Sequence, residues 1–202
     1  MSISFRSLRA PLLLAVAAVS LSACVGLGGK TPPFLLSLDA DSTPTAGGAR
    51  TAADAATLTI LIPTVPQKLR TTRIPVQQDG ASVTYVKDAQ WVEAPSRLFQ
   101  RLVSETVAAR TTRVVLDEGQ YLTAPGEQLA GQLMEFGVDA ATNEVVVVYQ
   151  AMLVSAGGKS VTQRRFEARE AIGGKVEAKP VGEALTRAAN KVAVEVTAWL
   201  GG

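Results

Sequence analysis

Histidine is absent from all 202 residues, and that one absence removes much chemistry. Without imidazole there is no Ser-His-Asp triad, no Cys-His pair, no histidine metal ligand and no imidazole general base. Cysteine occurs once, at Cys24, so neither an intramolecular disulfide nor a thiolate metal cluster can form. Aromatic residues make up only 5% of the chain, so a core must rest on Val, Leu, Ile and Ala. Charge of one sign is also missing. The chain has 20 Lys+Arg against 18 Asp+Glu, and Arg6 and Arg9 at the extreme N-terminus match the excess. A neutral remainder argues against a dedicated nucleic-acid binder, which needs a basic surplus to displace counterions. What is present is a globular composition, 47% hydrophobic and 19% charged. The length suits one domain with a proper core.

The N-terminus reads as an address and an anchor. Residues 1–23 form a lipoprotein signal peptide, with Arg6 and Arg9 as its positive region and Pro11 to Leu21 as its apolar stretch. That stretch is shorter than the roughly 20 apolar residues needed to span a bilayer. It ends in Leu21-Ser22-Ala23-Cys24, the pattern of a lipobox, with Cys24 as the lipid attachment site. An ordinary secretory signal with a chance cysteine is the alternative. The only cysteine of the chain falling at the required position favours the lipobox. Several acyl chains, at about 0.8 kcal/mol per buried methylene, would hold the protein firmly. Val25 follows the cysteine where an Asp commonly signals inner-membrane retention, so the expected location is the outer membrane, facing the periplasm. Residues 24–33, with three Gly and two Pro, are expected to be a flexible tether, and 34–200 a single domain.

Within that domain, Phe34 to Leu38 and Leu58 to Ile62 read as strands, the second stopped by Pro63 and Pro66. Asp39 to Ala56 reads as an exposed loop and Gln67 to Gly80 as a polar connection. Ala81 to Val86 alternates as a strand. Pro95 opens a helix with Leu98, Phe99, Leu102, Val103 and Val107 on one stripe. Val114 to Leu116 is extended. Residues 129–171 read as a three-stranded antiparallel meander, with Met134, Phe136 and Val138 sharing one face of the first strand. Val181 to Leu200 closes the chain as a second amphipathic helix, with Trp199 as a core anchor. The expected fold is α+β, a mainly antiparallel sheet covered on one face by two amphipathic helices.

Motifs that suggest catalysis fail on their partners. Asp39-Ala40-Asp41-Ser42-Thr43 matches the DxDxT start of haloacid-dehalogenase-like phosphatases, but no later Asp pair is available for Mg²⁺. Read as a calcium loop, the same stretch puts Arg50 where a bidentate Glu is required. Gly47-Gly48 and Gly157-Gly158 do not lead into a Gly-Lys-Ser/Thr phosphate loop. No catalytic residue, metal site or cofactor is expected beyond the covalent lipid on Cys24. The basic stretch of Lys159, Arg164, Arg165 and Arg169 suits either lipid phosphates or, more simply, an edge strand protected by charge.

The order of these features resembles the ABC-type transport auxiliary lipoproteins, the PqiC-like lipoproteins. The matching marks are the lipobox at Cys24, PFLLSLDA at 32–40, LTILIPTVP at 58–66, YVKDAQWVEAPSRLFQRLVSETV at 85–107 and the helix ending VTAWL at 196–200. The resemblance implies a non-catalytic accessory of a lipid-trafficking system, docking an MCE-domain (mammalian cell entry) protein that works with an ABC permease and an ATPase. A homo-oligomer would suit a tubular partner. Val76 and Trp91 are the residues the sequence offers as partner contacts, because both lie among turn formers beside apolar neighbours. The alternative is an envelope scaffold or assembly factor that binds another periplasmic machine.

Overall fold

The computed structural model describes residues 32–53, 56–120 and 126–201. Its longest strand, β5 (Glu127–Asp139), organises the rest. One edge of β5 pairs antiparallel along its length with β6 (Glu144–Val154), and β6 pairs with β7 (Val161–Ala171). The other edge takes two short strands side by side. β1 (Thr57–Ile60) lies parallel to the start of β5, and β2 (Arg73–Gln77) lies parallel to its end. Between them, Thr64 bridges to Gln132, again parallel. Outboard of β2 is β3 (Val83–Gln90), antiparallel, and outboard of β1 is β4 (Val114–Leu116), parallel.

The expectation of a mainly antiparallel sheet is therefore corrected. Only the meander from β5 to β7 and the β2·β3 pair run antiparallel; among the described residues three of the six strand pairings and both isolated bridges are parallel. The physical reason lies in the connections. Antiparallel neighbours need only a tight turn, as at Ala140 to Asn143, whereas parallel neighbours need a crossover. The crossover from β1 to β4 contains β2, β3 and α1 (Pro95–Arg110).

Two strand expectations also change. β2 falls inside the expected polar connection because Pro75, which cannot donate to a ladder, sits inside it. The register shifts between Arg73 and Pro75, and that irregularity admits the proline. Conversely, Phe34 to Leu38 forms no strand. It makes one parallel bridge, Leu36 to Trp91, with the Leu36 N–H donating to Gln90 O at 2.8 Å and the Val92 N–H to Leu36 O at 2.9 Å.

Both helices pack on one face of the sheet. α1 starts on Pro95, whose missing N–H costs nothing at a helix N-terminus. It ends where Thr111 turns extended and gives its N–H and Oγ1 to Val107 O. α2 (Ala178–Gly201) closes the domain, and Leu185, Ala189, Val192 and Val196 are wholly buried. Tyr149 and Phe166 are register partners on β6 and β7. The Phe99 ring of α1 meets Tyr149 edge-on at 5.1 Å, and the Trp199 ring of α2 meets Phe166 at 5.7 Å. Adjacent positions on one sheet face thus receive one helix each. Polar residues on the helices' inner sides bond their own turns: Thr106, Thr186 and Thr197 each donate to the carbonyl four residues back.

The two tryptophans exchange the roles the sequence suggests. Trp91 is 1% exposed, with its ring 5.6 Å from Phe136, whereas Trp199 is only partly buried at the edge of the core. Trp91→Ala is expected to cost about 3–5 kcal/mol of unfolding free energy, and Trp199→Ala clearly less. Urea unfolding of the two variants checks this; an equal or larger loss at Trp199 would contradict the packing.

Candidate functional site

The residues singled out for function fall in three places. Cys24 lies outside the described residues. Val76 and Trp91 are interior, at 4% and 1% exposure, so neither presents a surface to a partner. The correction has a local cause: Val76 is a register partner of Val138 on β5, and Trp91 is held between Leu36 and Thr72, the residue just before β2. The Trp91 N–H donates to Thr72 O at 2.8 Å, while its indole Nε1 has no hydrogen-bond partner.

The segment that resembles a phosphatase start is a staple. Asn190 on α2, itself buried, accepts from the Asp41 N–H at 2.8 Å and donates to Asp39 O at 3.0 Å. Asp39 accepts a hydrogen bond from the Ser37 hydroxyl, and Arg110 reaches Ser42 Oγ. These contacts fasten 39–42 across both helices. No cluster of three or more acidic or thiol ligands suited to a metal occurs among the described residues.

The helix-free face of the sheet carries the most structured polar surface. A recess of about 490 Å³ opens there, lined among others by Gln77, Asp79, Glu135, Asp139 and Arg169. Its charged groups all have partners, with carboxylates in excess over cations. Lys68 Nζ lies 2.6 Å from Glu135, and Arg169 reaches Asp139 and Glu167 at 3.1 Å each. Hydrogen bonding to Asp139, and secondarily to Glu167, holds the Arg169 guanidinium above its ordinary pKa. The Asp79 carboxylate accepts from the Ala81 and Ser82 N–H groups, which hold it below the usual carboxylate range. Every carboxylate here is a structural acceptor. The recess is a polar, net acidic surface whose side chains are tied to one another and to backbone groups.

Sequence reasoning missed this face for one reason. A bulge between Leu133 and Glu135 reverses the alternation within β5, so Leu133 joins Phe136 in the core. The basic stretch on β7 resolves similarly. Arg165 and Arg169 are paired with Glu167, and Arg164 lies over the Phe166 ring at 5.3 Å. β7 is the outer strand beyond β6, and its charges guard that edge.

With the fold in view, the comparison with known families becomes decisive. The model for the ABC-type transport auxiliary lipoprotein component matches residues 34–197. The chain belongs to this family. The auxiliary lipoproteins are membrane-anchored by their lipid and associate with an ABC transport system. Among solved structures, the protein XCC0632 from Xanthomonas campestris is similar at a TM-score of 0.70 and 16% identity, over 83% of this chain and 94% of that one. A crystal structure of an uncharacterized protein is similar at a TM-score of 0.63 and 11% identity, over 75% and 96%. At these identities the likeness concerns the fold alone. No curated protein matches the sequence.

One ion cluster of this auxiliary domain predicts a pH dependence. Glu170 on β7 is bonded to Lys191 and Arg187 of α2, and the Lys191 hydrogen bond, more than any other cause, depresses its pKa. A depressed carboxyl stabilises the fold above its unfolded value and loses that contribution as pH falls through the folded value. Glu170→Gln should therefore lower the melting temperature at neutral pH. The gap should close below the ordinary glutamate range of roughly 4. Melts across pH check this, and a gap that persists in strong acid would refute the pairing.

Proposed function

We propose that this auxiliary lipoprotein is a non-catalytic docking component of an MCE-type lipid-transport system. It is anchored through acylated Cys24 in the outer membrane and faces the periplasm. The observation that carries the reading is the family match over residues 34–197, which supplies the transport association. Three features support the finer parts. Leu21-Ser22-Ala23-Cys24 followed by Val25 fits an acylated, outer-membrane protein. The absence of histidine, and carboxylates committed to structural partners, fit a body that works through surface. The near balance of 20 Lys+Arg against 18 Asp+Glu in the chain fits recognition by shape with modest salt sensitivity.

Partner capture tests this. Photo-crosslinkers at Val83 and Val161, both exposed, avoid the buried positions that the sequence alone suggests. In intact cells they should capture an MCE-domain protein. Cys24→Ala should abolish labelling by a palmitate analogue and reduce that capture. Capture of outer-membrane assembly factors alone would instead favour the scaffold alternative.

A further inference from the structure

Six large apolar side chains stand exposed among the described residues, and three of them gather where the folded body begins: Phe34, Leu35 and Val92. Their grouping follows from the backbone. Leu36 turns inward and packs so closely on α2 that a Cβ at Gly182 would come within 2.8 Å of its Cδ2. Leu35 beside it is 50% exposed, and Phe34 and Leu35 line one recess together. Val92 joins them because its N–H is bonded to Leu36 O. Beside Phe34 and Leu35 a shallow recess of about 600 Å³ runs along the start of α2, where Lys179 and Arg187 stand with Glu183. Lys179 forms no ion pair with another described residue, so its ammonium is available.

From this we infer that the patch of Phe34, Leu35 and Val92, with Lys179, is a membrane-seating surface that rests in the headgroup region of a phospholipid bilayer. The inference rests on the acylated Cys24 proposed above. Chain length is what selects the occupant. Cys24 and Phe34 are ten residues apart, so even a fully extended chain keeps the patch within about 35 Å of the anchored lipid. Any shorter path brings it nearer the surface. Apolar side chains beside a cation match the apolar-to-anionic gradient of that interface. Val92 shares that constraint through its bond to Leu36 O, whereas Val83, at the far end of β3 from it, does not.

Depth measurement on the full acylated protein tests the seat. Acylation occupies the Cys24 thiol, so Leu35→Cys carries the one free thiol for an environment-sensitive fluorophore. Val92→Cys serves as a second reporter, and Val161→Cys as the distant control. In vesicles of phosphatidylethanolamine and phosphatidylglycerol, a headgroup-linked nitroxide should quench the fluorophore at 35 and 92 at least twofold more than at 161. Aqueous iodide should show the reverse order. Floating protein whose positions 35 and 92 behave like 161 overturns the seat and leaves the anchor standing. Protein that does not float with the vesicles overturns the anchor, and the seat with it. A photo-crosslinker at 35 that captures protein rather than lipid in intact cells gives the patch to a protein partner and likewise overturns the proposal.

Discussion

One strand has to satisfy three partners on two edges, and the domain is arranged around that constraint. β5 spends one edge wholly on β6 and divides the other between β1 and β2. Two glycines make the close approaches possible. A Cβ on Gly137 would come within 2.4 Å of Pro75 O, and one on Gly131 within 2.4 Å of Gln150 O and 2.7 Å of the Tyr149 ring. Larger residues there would meet backbone that has nowhere to go. Tyr149 turns the approach to advantage, because its hydroxyl donates to Ala130 O at 3.0 Å. Burial then raises the pKa of that hydroxyl.

The rest of the fold closes over this spine. Val145, Val147, Tyr149 and Ala151 face the helices from β6, with Phe166 and Ala168 from β7. Such burial is worth about 25 cal/mol per Å² of apolar surface, the dominant favourable term in a domain this size. Small residues on α2, Ala184, Ala188, Ala189 and Ala193, are fully buried and allow close packing. Polar groups that enter the interior find partners, the helix threonines within their own turns and Asn190 on segment 39–41 as well. The indole of Trp91 is the described exception.

How much of this the sequence disclosed depended on whether the signal was local. Helix α1, read from Pro95 and its apolar stripe, begins and ends close to where it was expected. The β5–β7 meander was legible because hairpin turns and β-branched runs are local features. Sheet polarity was not legible: the parallel docking of β1 and β2 on β5 is a long-range choice that no local pattern encodes. β2 was hidden by a proline admitted through an irregular register, and the face of Leu133 by a bulge. Trp91 and Val76 were misjudged because turn formers around a residue say nothing of what packs over it. The functional reading fared differently again. The family was recognisable from the order of segments.

A body tied this way is suited to presenting surfaces and has little need of moving parts. Its helix-free sheet face is polar, and three of the six exposed large apolar residues among those described collect beside the segment at Phe34. β5 should be the most protected element, because every other strand hangs from it directly or through one neighbour. Native-state hydrogen exchange on the protein measures that. The amides of Leu129–Val138 and of their β6 partners should exchange most slowly, at the rate set by global unfolding, with β3 and β4 opening earlier. β5 amides that exchange as fast as those of β3, while the helices stay protected, would contradict the account.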